Sequence, residues 1–172
     1  MSSNPPTLTL FEEWCDNSSA VHSRHHFDVL TEKVNARDVI LPELVSVLHD
    51  HYDARARFLE RAARLGYDRA VEVIRQRLPT TVIERSGDIG EILATEYVNS
   101  SLPFVIPINR FQWKDARNTA MRGDDLIEFR LKADGGLDAL LKGNSKSRIG
   151  LHNNAMAEAI TKLREYDGRP SA

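Results

Sequence analysis

The chain has 172 residues, the size of one domain or of one domain with an appended lobe. Apolar residues make up 41% and charged residues 28%, which excludes collagen-like, low-complexity and wholly disordered proteins. A formal net charge of −2 excludes a strongly basic, histone-like binder but leaves a local basic face open. The single cysteine excludes a disulfide framework, and no apolar run approaches the roughly 20 residues of a membrane span. We therefore expect a soluble, cytoplasmic protein.

The first half of the sequence predicts a mainly helical lobe over residues 1–80. Residues 28–34 carry a weak pattern that fits either a strand or a short helix. Pro42 suits the first turn of a helix, and apolar residues at mixed helical spacing continue that helix to Leu65. A further helix is predicted over 68–78.

Residues 81–172 form a second predicted domain with a different rhythm. Ser86 is predicted to cap a helix whose first turn holds Asp88 and Glu91, since acidic groups there interact favourably with the helix dipole. The segment 102–113 is rich in β-forming residues, and its two prolines indicate an edge strand or a bulge.

A hairpin and a helix complete this domain. Residues 126–131 alternate in part and predict a strand, the sequence ADGG at 133–136 predicts a turn, and 137–147 predict the returning strand. A final amphipathic helix is predicted over 153–166. Its inward side chains are predicted to be Ala155, Met156, Ala159, Ile160 and Leu163. From residue 86 onward the predicted order is helix, strand, strand, strand, helix, which indicates the α/β class.

Polar residues at one end of this hairpin suggest metal-assisted phosphodiester cleavage. Asp125 precedes one strand and Lys146 lies near the end of its partner, and Asn144 shares the strand parity of Lys146. Carboxylates such as Asp125 and, from the preceding helix, Glu91 suit Mg²⁺, while a nearby ammonium stabilises charge on the transition state. Basic residues that could face phosphate are Lys142, Lys146 and Arg148, with Arg110, Lys114, Arg117 and Arg122. An aspartate at a turn and a lysine at a strand end are common in this class, so a structural role stays open.

Histidines give a weaker signal. His22, His25 and His26 lack the spacing of a helical zinc motif and have no cysteine partners, so we do not expect them to bind metal. His49 and His51 lie two apart on a predicted helix and do not share a face, and we expect both on the surface.

Three segments resemble the HamA family of the Hachiman antiphage defence system: ERSGDIGEILATEYVN at 84–99, RGDDLIEF at 122–129 and KGNSKSR at 142–148. The resemblance covers 84–165 well and 40–78 loosely. It implies a restriction-endonuclease-like nuclease core of the PD-(D/E)xK type, preceded by the helical lobe. It also implies a bacterial cytoplasmic protein that acts on DNA beside a large helicase, HamB.

The resemblance assigns roles to individual residues. The hairpin aspartate of the family matches Asp125, with Asp124 as the adjacent alternative, and the final lysine matches Lys146. The helix glutamate matches Glu91. Asp125, Glu91 and position 144 would hold Mg²⁺ or Mn²⁺, but the acidic position of the family is Asn144 here.

This departure changes the expected chemistry. An amide offers one neutral carbonyl oxygen and cannot act as a base, so metal binding and turnover should both fall. Three explanations of the asparagine at position 144 are open. It is an engineered inactivating substitution, the protein is a naturally attenuated nuclease, or another carboxylate such as Asp138 supplies the missing acidic ligand. We expect a metal-dependent DNA nuclease subunit that is impaired at this position, with Arg122, Lys142 and Arg148 contacting DNA. The alternative is a non-catalytic module that binds DNA or the helicase.

The end of the chain departs from the family as well. The nuclease core usually has a strand after its second helix, yet only six residues follow Tyr166. Either the chain is truncated, or this strand is missing or is supplied by a partner. An unpaired strand edge would favour association with another chain, including a second copy.

Overall fold

The computed structural model describes residues 9–52, 64, 66–67, 79–105, 111, 123–150 and 153–170. The chain divides into two compact units, residues 1–49 and 50–172. The predicted boundary at residue 80 stays a prediction, because the helix expected over 68–78 lies outside the described residues. Within the described ranges, no helix is long and apolar enough to cross a membrane.

The first unit begins with a short helix and a β-hairpin. Helix α1 (Leu10–Trp14) starts at a capping box, in which Thr9 and Glu12 exchange hydrogen bonds through their side chains and amides. Strands β1 (Cys15–His22) and β2 (His25–Glu32) pair antiparallel. The left-handed conformation of Ser23 closes the two-residue turn. Of the two alternatives for 28–34, the strand is therefore confirmed as far as Glu32.

Helix α2 (Ala36–Tyr52) follows the hairpin. Pro42 lies in its interior, so the prediction that Pro42 occupies the first turn is wrong. The first turn instead contains Asp38, an acidic residue that interacts favourably with the helix dipole. The predicted continuation to Leu65 lies outside the described residues.

Helix α3 (Val82–Ser101) supplies two buried apolar residues of the second unit, Val98 and the fully buried Ile92. Its N-cap is Thr81, whose side chain accepts a hydrogen bond from the amide of Glu84 at 3.3 Å. The prediction that Ser86 caps this helix is therefore wrong. Because the helix starts at Val82, Ser86 lies within it and its hydroxyl contacts that of Ser147.

Strands β3 (Leu126–Leu131) and β4 (Leu137–Gly143) form the second antiparallel hairpin. The bounds of β3 and the turn are confirmed, whereas β4 ends four residues before the predicted Ser147. Within the predicted β segment 102–113, Val105 forms an antiparallel bridge with Phe129, and both of their amides donate to the partner carbonyl. β3 thus has a neighbour on each side. Residues 106–110 and 112–113 lie outside the described part.

Helix α4 (Asn153–Arg164) and a short 3₁₀ helix (Glu165–Gly168) follow the hairpin. The helix itself is confirmed, and Ala155 is buried as predicted. Met156 and Ile160 were expected to face inward, but both are exposed, which corrects that part of the prediction. The mixture of helices and small antiparallel sheets is consistent with the predicted α/β class.

Candidate functional site

The second hairpin brings Asp125 and Asn144 into direct contact. Leu126 pairs with Gly143 in the strand register, so the residue that precedes β3 lies beside the residue that follows β4. The amide Nδ2 of Asn144 donates to Oδ2 of Asp125 at 2.6 Å, and the backbone amide of Ser145 donates to the same oxygen at 2.8 Å. Two of the residues to which the resemblance gives a role thus lie in contact, whereas their role as metal ligands stays a prediction.

The carbonyl oxygen of Asn144 lacks a comparable contact. Its Oδ1 is buried and has no hydrogen-bond partner in the part of the chain that the structure describes. A buried acceptor without a donor is unusual, because desolvating it costs free energy. Asn144 therefore presents one satisfied group to Asp125 and one unsatisfied oxygen.

Helix α3 packs closely on the segment that follows β4. A Cβ atom at Gly90 would lie 3.1 Å from both the Oγ of Ser145 and the Cβ of Ser147. The hydroxyls of Ser86 and Ser147 are hydrogen-bonded at 2.7 Å. This close approach favours a glycine at position 90 and holds the helix against the segment that follows Asn144.

Tyr52 and Asp88 lie close to Glu91, the third predicted metal ligand. Tyr52 donates to Oδ2 of Asp88 at 2.5 Å. Burial is the main reason that the pKa of Tyr52 lies far above its usual range, and the hydrogen bond to Asp88 and the negative charges of Asp88 and Glu91 add to it. Glu91 thus lies close to Tyr52 and Asp88. Among the described residues, no group of three or more His, Cys, Asp or Glu side chains is placed to hold a metal ion.

Lys146 follows the hairpin in an exposed position. Its ammonium donates to the backbone carbonyl of Ser145 at 3.3 Å. The argument that Lys146 shares a strand face with Asn144 fails, because β4 ends at Gly143 and neither residue belongs to a strand. The structure therefore brings Asp125 and Asn144 together and leaves Lys146 two residues away along the chain.

The expected DNA-contacting residues differ in their surroundings. Lys142 is buried, and its ammonium contacts Oδ1 of Asp124 at 3.2 Å, so it is not part of an open phosphate-facing surface. This position corrects the predicted role of Lys142. Arg148 is exposed and forms an ion pair with Glu158 at 2.9 Å. Arg122 lies outside the described residues.

Two buried polar residues were not predicted. His51 was expected on the surface but is buried, with Nε2 2.5 Å from Oε1 of Glu96. Glu128 is only 1% exposed, and neither carboxylate oxygen has a hydrogen-bond partner among the described residues. Burial raises the pKa of Glu128 to about 7. The alternation of β3 contained a signal for Glu128, since it shares a face with the apolar Leu126, whereas no sequence signal identified His51.

Comparison with known families gives one finding that covers nearly the full chain. The family model described as HamA matches residues 9–171. No curated protein matches the sequence. The match extends beyond the three segments that carried the resemblance and includes the first unit from Thr9 onward. The chain therefore belongs to the HamA family and is a component of the Hachiman antiphage defence system.

Proposed function

We propose that this chain is a metal-dependent DNA nuclease subunit that works with a helicase and whose turnover is attenuated at Asn144. The observation that carries the proposal is the 2.6 Å contact between Asn144 and Asp125. Asn144 lies beside the hairpin carboxylate, and such an arrangement supports two neighbouring ligands of one ion. The family supplies the defence context, and the chemistry is inferred from these side chains.

The order of elements supports a restriction-endonuclease-like core. Helix α3 is followed by the Val105 bridge, β3, β4 and α4, and β3 is central because both Val105 and β4 pair with it. The predicted order is helix, strand, strand, strand, helix, and the isolated Val105 bridge stands at the position of its first strand. The candidate site lies at the end of the hairpin where β3 begins and β4 ends.

The oxygens at this site fit a hard divalent cation. Asp125 provides a carboxylate, and the buried Oδ1 of Asn144 is an acceptor that no described group satisfies. Mg²⁺ and Mn²⁺ prefer such oxygen ligands. Asp125 and Asn144 would hold the ion, which would activate a water and neutralise phosphate charge. With an amide at position 144 the pair carries one negative charge instead of two, so we expect weak binding.

Lys146 has the exposure that contact with a phosphate requires. Its ammonium is held only by the carbonyl of the preceding residue in the described contacts, and a lysine side chain can rotate from such a contact towards an anion. It would stabilise the charge that develops on the phosphate. Arg148 is also exposed and would contact the DNA backbone, in competition with Glu158.

Restoring the carboxylate tests the proposal. Asn144→Glu should raise Mg²⁺- or Mn²⁺-dependent plasmid nicking by about 100-fold, because a full charge returns to the metal site. Adding Lys146→Ala to this variant should lower nicking by a similar factor. Reactions with EDTA, and with and without the helicase partner, are the controls. If Asn144→Glu and the double variant nick at the same rate, the assignment of this site is wrong.

A second candidate is a non-catalytic module that retains the nuclease fold to bind DNA or the helicase. The observation that favours it is the amide of Asn144, which donates to Asp125 where an active site would need a cation. This module would bind DNA in a salt-sensitive manner, or bind the helicase, and Asp125→Asn would leave binding unchanged. Fluorescence anisotropy over a salt series and co-purification with the helicase measure this binding. Nicking by Asn144→Glu distinguishes the two candidates, because the module stays inactive and the nuclease gains turnover that Asp125→Asn removes.

A further inference from the structure

The side chain of Lys142 is enclosed by groups from two parts of the second unit. Lys142 lies on β4 opposite Ile127, and its side chain is 7% exposed. Its Nζ is 3.2 Å from Oδ1 of Asp124, 3.2 Å from the carbonyl oxygen of Glu165 and 2.8 Å from that of Arg169. The ring of Tyr166 lies 5.8 Å from the same nitrogen. The ammonium of Lys142 therefore connects strand β4 to the C-terminal segment 165–169.

These contacts use the full donor capacity of a lysine. An ammonium has three N–H donors, and three acceptors surround it here. The carboxylate of Asp124 is also buried, with a side-chain exposure of 3%. A charged pair in such surroundings is held firmly, because removing either member leaves the other charge desolvated without that partner.

The C-terminal contacts of Lys142 flank an unusual stretch of backbone. Tyr166 and Asp167 both adopt the left-handed conformation, with φ of 57° and 55°. This conformation costs free energy for residues other than glycine. Lys142 binds the carbonyls of Glu165 and Arg169, which lie immediately before and two residues after this pair. Those bonds stabilise a turn that the local sequence does not favour.

We infer that Lys142 is a positioning residue that fixes Asp124, and with it the backbone at Asp125, against the segment 165–169. The carboxylate of Asp125 is held from the same end of the hairpin, because Asn144 and Ser145 follow Lys142 by two and three residues. Lys142 thus orders the site and the C-terminal segment together. Its relevance to catalysis rests on the proposed nuclease function, whereas the ordering of Asp125 does not.

Amide hydrogen exchange in the full chain tests this inference without any activity. Two reporters are available: the amide of Ser145, which donates to Asp125, and the amide of Arg169, which donates to the carbonyl of Tyr166 at 3.0 Å. Lys142→Met should accelerate exchange at both by about 100-fold, as expected from breaking a buried ion pair. The amides of α3 should change less than the two reporters.

Lys162→Met is the matched control. Lys162 forms an ion pair with Glu165 at 2.7 Å, but the two side chains are 42% and 43% exposed. Loss of an exposed pair has little effect, so exchange at Ser145 should stay as in the unmodified chain. Equal acceleration in the two variants would show that Lys142 has no special role.

A variant that removes both charges keeps the test valid if Lys142→Met does not fold. Asp124→Asn combined with Lys142→Met avoids an unbalanced buried charge but still loses the bonds to Glu165 and Arg169. It should show the same fast exchange at Arg169. Unchanged exchange at both reporters, or a uniform acceleration across α3 as well, would overturn the inference. Because nicking is not measured, this failure is distinct from failure of the nuclease proposal.

Discussion

The described part of the chain contains two antiparallel hairpins of similar size, and only the second has buried polar and charged side chains in or beside its strands. In β1 every residue after Cys15 is exposed, whereas β3 alternates between buried and half-buried residues from Leu126 to Phe129. The strand pairing is of the same kind in both, so topology does not cause the difference. The difference in burial comes from the side chains, because β1 has the mostly polar sequence CDNSSAVH and β3 has the more apolar sequence LIEFRL.

The polar contacts of the two hairpins differ accordingly. In the first, Asp28 accepts from Ser19 at 2.5 Å and contacts His26 at 2.9 Å, and His26 is largely exposed. In the second, Asp124 and Lys142 are buried together. Water screens the first set of contacts and is excluded from the second. A hairpin becomes suitable for a fixed site when neighbouring elements cover it, as α3 covers the second one.

The largest expected effect comes from removing a buried side chain of the second hairpin. Leu126 is 6% exposed and packs against Gly143. Leu126→Ala should lower the free energy of unfolding by about 3 kcal/mol, because it removes buried methyl groups and leaves a cavity. Urea denaturation followed by circular dichroism measures this change.

Val29 on β2 provides the control in the first hairpin. Its side chain is 56% exposed, so Val29→Ala should change the free energy of unfolding by less than about 0.5 kcal/mol. A cost for Val29→Ala as large as that for Leu126→Ala would mean that the first hairpin is also packed in solution and that the two hairpins do not differ in burial.

A second effect of similar size concerns pH. The pKa of Glu128 is raised from 4.5 to about 7 in the folded chain by burial. Between these two values the folded protein retains a proton that the unfolded chain has lost. Stability should therefore fall as pH rises through this window, by about 3 kcal/mol in total, and then level off.

Glu128→Gln isolates this contribution from other titrating groups. The amide cannot ionise, so the variant should lose less stability than the unmodified chain between pH 4.5 and pH 8. Urea denaturation at the two pH values gives the difference. Parallel pH profiles for the two proteins would show that Glu128 is not buried as a free carboxyl.

Sequence patterns predicted the second hairpin better than the first, for a physical reason. The strand β3 and its turn were predicted because one face is apolar and glycines mark the bend. Strand β1 was missed, because a strand exposed on both faces shows no alternation. Antiparallel pairing predicted that Asp125 and Lys146 meet at one end of the hairpin. The register pairs Leu126 with Gly143, so the observed neighbour of Asp125 is Asn144, two residues before Lys146.

What the sequence did not predict depends on contacts between distant residues. Beyond the early end of β4, Ser145 and Ser147 contact α3, and no local pattern encodes these contacts. The same applies to His51, which is buried beside Glu96. Lys142 was expected at the surface as a basic residue, and only its contacts with the C-terminal segment reveal a buried role.

Two glycines of α3, Gly87 and Gly90, test how closely this helix packs on the segment after β4. A Cβ at Gly87 would meet nothing within 4 Å, so Gly87→Ala should stabilise the chain by up to about 1 kcal/mol through helix propensity. At Gly90 the added atom would meet Ser145 and Ser147, and Gly90→Ala should destabilise the chain by about 1–2 kcal/mol. Thermal and urea denaturation should therefore shift in opposite directions. A shift of equal sign would mean that α3 and the site segment pack loosely.

The smallest expected effect lies at the exposed end of the second hairpin. Nε of Arg130 donates to Oδ2 of Asp138 at 2.6 Å, and both side chains are about 40% exposed. Asp138→Asn should cost about 0.5 kcal/mol, and this cost should vanish at about 1 M salt because exposed charges are screened there. Urea denaturation at low and high salt measures both values. A cost of several kcal/mol that does not fall at high salt would mean that the Arg130–Asp138 pair is as strong as the buried pair of Asp124 and Lys142. A small, salt-sensitive cost would show that burial, and not membership of the second hairpin, determines the strength of its ion pairs.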